Sequence, residues 1–212
     1  TYTVKGIAAD GTAGKANSTG VSAMRAPAAV KMGKATASSA NITVTWSKAD
    51  GAAKYVVYRK TADSKWVKLA AVDSSTLKYV DKTVANGVQY TYTVLACAAD
   101  GKTKGGYDST GLTVMMVPAM VELSKATHSA TNITVTWKAA AGAKTYRVYR
   151  KAAGESTWTT VAKSVSGTSY TDKTAKAGVK YTYTVRGIAS DGKTLSAKYN
   201  AAGVSDTLPK GA

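Results

Sequence analysis

Along much of this chain apolar side chains recur at every second position. Ile42, Val44 and Trp46 alternate with Thr43 and Thr45, and Tyr181, Tyr183 and Val185 alternate with Thr182 and Thr184. A period of two is that of a β-strand with one face buried and the other in water. The runs are rich in β-branched and aromatic residues, which suit a pleated surface, and Gly and Asp-Gly pairs punctuate them as turns. No window shows an apolar stripe at helical spacing. The pattern predicts an all-β chain.

The pattern also repeats. The segment Asn41 to Trp46 recurs unchanged as Asn132 to Trp137, and Tyr55 to Lys60 recurs as Tyr146 to Lys151 with Arg147 in place of Val56. Tyr90 to Val94 recurs at Tyr181 to Val185, and a partial third copy, Thr1 to Val4, opens the chain. Asp10-Gly11, Asp100-Gly101 and Asp191-Gly192 follow the three copies, and the only prolines, Pro27, Pro118 and Pro209, stand 91 residues apart. A fixed period of this length marks an array of like units. The expected division is the end of one unit over 1–25, complete units of about seven strands over 26–117 and 118–208, and the start of a linker over 209–212.

A disulfide-free unit of roughly 90 residues and seven strands suggests an immunoglobulin-like β-sandwich. The order of motifs carries a closer resemblance: a tryptophan in Ile-Thr-Val-Thr-Trp (Trp46, Trp137), then Tyr-x-Val-Tyr, then Gly-Val-x-Tyr-x-Tyr-x-Val. It is similar to the fibronectin type III pattern over nearly the whole chain. The resemblance implies that Tyr90 and Tyr181 form the tyrosine corner, with the hydroxyl bonded to backbone at the turn before the strand. It implies a core around Trp46 with Ile42, Val44, Tyr92 and Val94, and the same around Trp137. Two departures stand out: no proline precedes Gly87 or Gly178, and Tyr92 and Tyr183 sit where that family usually places Val. The Lys- and Thr-rich style resembles modules of Gram-positive bacterial surface proteins.

Composition narrows the partners. Lys and Arg number 29 against 12 Asp and Glu, a net charge of +17, which favours anionic polymers such as cell-wall or acidic glycans. The basic residues are spread over both units with no recognition helix, so nucleic acid is not expected as a partner. Cys97 is the only cysteine, which excludes an internal disulfide and a cysteine-built zinc site. No stretch approaches the length of a membrane span, and Thr1 to Val4 has no signal-peptide shape, so the fragment is expected to be soluble, with any export signal outside it.

Candidate chemistry is sparse. Glycoside hydrolysis needs two carboxylates across a cleft, yet Asp100 and Asp191 belong to turns, Asp81 and Asp172 repeat as scaffold, and Glu155 and Asp206 form no pair. His128 has Ala37 as its repeat partner and reads as a solvated strand-edge residue. Cys97 matches Ile7 and Ile188 and reads as a small packing residue. Asn17, Asn41 and Asn132 lie in glycosylation-type triplets. No catalytic, metal or cofactor-binding residue is assigned, and no hydrolase, transferase or redox turnover is expected. The one outward cluster nominated as a ligand-facing surface is Arg147, Tyr149, Lys151 and Arg186, whose counterparts are Val56, Tyr58, Lys60 and Leu95.

The expected function is therefore a non-catalytic spacer in an extracellular or cell-surface protein, each unit adding about 35 to 40 Å. Two alternatives remain: adhesive or carbohydrate-binding modules recognising anionic glycan, and ancillary modules of a polysaccharide-degrading enzyme. Residues 1–25 carry only the last two strands of a unit and so expose an apolar face. They are expected to lie in β-conformation against strands from outside this chain, most simply in a head-to-tail array of copies.

Overall fold

The computed structural model describes residues 1–210; the last two residues of the linker expected over 209–212 lie outside the described residues. The first complete unit contains β1 (Met32–Ala37), β2 (Ile42–Trp46), β3 (Lys54–Lys60), β4 (Val67–Asp73), β5 (Lys78–Asp81), β6 (Gln89–Cys97) and β7 (Leu112–Met115). The second repeats the set as β8 (Leu123–His128), β9 (Ile133–Trp137), β10 (Thr145–Ala152), β11 (Thr159–Val165), β12 (Ser169–Asp172), β13 (Lys180–Ile188) and β14 (Val204–Thr207). In each, a three-stranded sheet (β1-β2-β5; β8-β9-β12) faces a four-stranded one (β4-β3-β6-β7; β11-β10-β13-β14), and every pairing is antiparallel. These are two sandwiches, and the described residues include no helix.

The period-two pattern decides which face goes inward. Ile42, Val44 and Trp46 are buried from one sheet, and Tyr55, Val57, Tyr92 and Val94 from the other. Trp46 meets Tyr55 edge-on at 5.7 Å, and Trp137 meets Tyr146 at 5.4 Å. The core of the first unit comprises two adjoining groups, with Met32 and Leu69 packed against both. Trp46 packs with Tyr55, Val57, Val94 and Ala96, while Ile42, Val44, Tyr90, Tyr92 and Met116 form a second group. In the second unit the corresponding residues form one cluster around Trp137. Val121 and Leu208 join it, as Val30, the counterpart of Val121, joins the group around Trp46.

The two sandwiches meet backbone to backbone. Gly87, in the turn before β6, lies against Gly142, in the turn before β10, so closely that a Cβ on either would overlap the other's main chain. Both have positive φ, 71° and 76°, which glycine alone adopts at little cost. Asn86, standing where the related pattern has proline, donates from Nδ2 to the Val117 carbonyl at 2.8 Å and fastens the turn to the connecting strand.

Residues 1–25 differ from both units. Tyr2 pairs with Val21 and Ile7 with Ala13 as isolated bridges, where continuous strands were expected. Tyr2 and Val4 are 73% and 85% exposed, whereas their counterparts Tyr92 and Val94 are fully buried.

Candidate functional site

Polar chemistry inside each sandwich converges on one aspartate. Asp81 Oδ2 accepts from Arg59 Nη1 at 2.6 Å and from the Tyr92 hydroxyl at 2.9 Å, while Oδ1 accepts from the Thr83 N–H and hydroxyl at 2.9 and 2.7 Å. Asp172 repeats the arrangement with Arg150 at 2.6 Å, Tyr183 at 2.8 Å, and the Thr174 N–H and hydroxyl at 2.9 and 2.7 Å. Burial pushes both carboxyls up, but these donors outweigh it and hold them below the ordinary aspartate range. Burial and the neighbouring carboxylate in turn drive the Tyr92 and Tyr183 hydroxyls far above theirs. A carboxylate with four donors and no open side is a staple, and it explains why a second tyrosine replaces Val on β6 and β13.

The other singled-out residues are structural too. The Tyr90 hydroxyl accepts from Ala85 N at 3.0 Å and that of Tyr181 from Lys176 N at 3.4 Å, which is the tyrosine corner geometry. Asp100 and Asp191 each accept the N–H groups of the next turn residues and a threonine hydroxyl at 2.6 Å. Cys97 is buried at the end of β6. His128 is half-exposed at the end of β8, as expected, but has a partner the sequence did not suggest: its Nδ1 lies 3.1 Å from the Asp206 carboxylate on β14. Among the described residues no group of three or more His, Cys, Asp or Glu gathers.

The outer face of each four-stranded sheet is different. On it lies an open trough, of about 370 Å³ in the first unit and about 180 Å³ in the second. Tyr58, Trp66, Thr93 and Tyr107 line the first, and their counterparts Tyr149, Trp158, Thr184 and Tyr199 line the second. Outward alternation presents Tyr58 on β3 and Thr93 on β6, while Trp66 comes from the residue just before β4 and Tyr107 from the loop before β7. That loop is tied down, since the Thr93 hydroxyl donates to the Asp108 carbonyl and Thr184 to the Asn200 carbonyl, both at 2.7 Å. Lys60 Nζ lies 4.7 Å from the Trp66 ring centroid and Lys151 Nζ 4.9 Å from that of Trp158. Trp158 and Tyr199 meet edge-on at 6.4 Å.

Of the four nominated residues, Tyr149 and Arg186 line the second trough and Lys151 caps its tryptophan. Arg147 lies opposite Arg186 in the β10–β13 register but not in the trough. Arg186 is itself held by Nε, which donates to the Ser196 carbonyl at 3.0 Å. Sequence reasoning missed Trp66, Trp158, Tyr107 and Tyr199. The signal that could have found them was the repeat, which places a tryptophan after Tyr-Arg-Lys and a tyrosine after Asp-Gly-Lys-Thr in both units.

No family model matches the chain. The receptor-type tyrosine-protein phosphatase eta of Gallus gallus is 31% identical over 205 residues, 92% of this chain, and the chain spans 14% of that relative's length. Among solved structures, a two-domain fibronectin type III segment from chicken tenascin superposes with a TM-score of 0.53 at 16% identity, covering 87% of this chain and 99% of that one. The fold is therefore that of tandem fibronectin type III domains. The likeness is one of architecture and carries no catalytic role to this chain.

Proposed function

We propose that these domains are a non-catalytic spacer of an extracellular or cell-surface protein, holding other parts of that protein apart. The observation that carries this reading is the junction. A spacer must transmit direction as well as length, and the close Gly87–Gly142 backbone contact between the domains, with the Asn86–Val117 hydrogen bond holding the end of the first domain beside it, supports a stiff junction. The nine residues of β6 rise about 3.3 Å each, so one strand alone contributes about 30 Å per domain. Relaxation of backbone amides by NMR tests the idea directly. Residues 26–117 and 118–208 tumbling with one shared, anisotropic correlation time supports a stiff spacer; two independent correlation times would overturn it.

A further inference from the structure

The two troughs differ in a way that retains a charge while moving its source. In the first, the β6 position facing the trough is Leu95 and the loop residue beside it is Lys104. In the second the two are exchanged: β13 supplies Arg186, and the loop position paired to the strand in the same way is Leu195. Both troughs thus keep two cations, Lys60 with Lys104 and Lys151 with Arg186, flanking a half-buried tryptophan and a tyrosine that is 52% exposed at Tyr107 and 40% at Tyr199. Packing alone does not require a cation to reappear when its position has been given to leucine. Aromatic rings gathered into one exposed patch, as Tyr58, Trp66 and Tyr107 are, signal contact where a single exposed ring does not, and the loop carrying the tyrosine is tied down before any ligand arrives.

We propose that each trough binds one acidic sugar unit of a polyanionic polysaccharide. The apolar C–H face of the ring lies on the tyrosine and tryptophan, and the carboxylate or sulfate is paired by the two flanking cations. The net charge of +17 draws such a polymer to the whole chain, while the trough selects a ring bearing a negative group. A nucleic acid strand fits less well, because strand binders stack successive bases along a continuous basic groove, whereas here each aromatic pair with its two cations stands one domain from the next. With one modest site per domain, a polymer spanning both gains from effective concentration rather than from any single contact. The proposal goes beyond the spacer reading and stands or falls separately from it.

Binding of the whole chain to polygalacturonate, neutral dextran and single-stranded oligo-dT at physiological salt tests it, read by tryptophan fluorescence and calorimetry. Polygalacturonate should bind and dextran should not. Tyr107→Ala and Tyr199→Ala should each weaken polygalacturonate about 10-fold and together about 100-fold. These exposed positions leave the core untouched, and circular dichroism verifies the fold. Lys104→Gln with Lys151→Gln should weaken polygalacturonate binding by about 10-fold or more, whereas Lys34→Gln with Lys125→Gln, which removes the same charge from the opposite sheet, should change affinity less than about 3-fold. Equal losses from the two lysine pairs, or no loss from the tyrosine variants, would mean diffuse charge attraction and overturn the proposal. Tighter binding of oligo-dT than of polygalacturonate, or no binding of polygalacturonate, would overturn it as well.

Discussion

Asp172 is fully buried, and each of its oxygens is committed to a donor. Its carboxyl titrates below the ordinary aspartate range in the folded chain, so the stability it contributes is present above the unfolded value of about 3.9 and is lost as pH falls through the lower folded value. Asp172→Asn should cost about 3 kcal/mol at pH 7, the lower end for a broken buried pair because Arg150 keeps some contact with water. Urea unfolding should also show that the variant loses less stability than the parent between pH 5 and pH 2. Equal slopes would mean that other carboxylates govern acid unfolding. This network was half legible in the sequence. Repetition of Asp81 and Asp172 marked them as scaffold, but Arg59 and Arg150 lie on strands of the facing sheet, and no spacing along the chain reveals a contact made across a sandwich. Trp137, by contrast, was readable from alternation alone; Trp137→Ala should cost about 3 to 5 kcal/mol by the shift in unfolding midpoint, since its cavity lies between Tyr146 and the rest of one continuous cluster.

At the scale of elements, strand positions follow from the period of two, because burial of one face is what that period encodes. The loops do not follow, because their geometry is set by hydrogen bonds between segments far apart in sequence. The loop carrying Tyr199 shows this: it is anchored by the Thr184 hydroxyl on β13, 16 residues before its acceptor Asn200. Thr184→Val keeps the β-branched shape of the strand and removes only the donor. It should lower stability by about 1 kcal/mol, the net value of an ordinary hydrogen bond, while raising amide exchange from Ala197 to Gly203 and leaving β10 protected. Uniform loss of protection across the second domain would show that the threonine supports the sheet rather than the loop. Residues 1–25 show the same limit from the other side. Their sequence carries the strand signal of Tyr90 to Cys97, and in this chain they form two isolated bridges, Tyr2 with Val21 and Ile7 with Ala13.

At the scale of the whole molecule, the relation between domains rests on two glycines that the sequence marked only as turn residues. Gly142 and its repeat counterpart Gly51 have nearly the same φ, 76° and 74°, so an alanine at either meets the same backbone strain. Their surroundings differ. A Cβ at Gly51 would make an ordinary contact with Pro27 at 3.4 Å, whereas one at Gly142 would run into the main chain of Asn86 and Gly87 in the neighbouring domain. Both substitutions should therefore destabilise their own domain by about 1 kcal/mol through φ alone. Only Gly142→Ala should also open the junction, because backbone on both sides leaves no flexible group to yield. Small-angle scattering should then show an altered maximum dimension for Gly142→Ala and an unchanged one for Gly51→Ala, and residual dipolar couplings should report a new angle between two intact domains. If both variants scatter like the parent, the glycine contact does not set the geometry, and the direction of one domain on the next is governed instead by the connecting chain through Pro118.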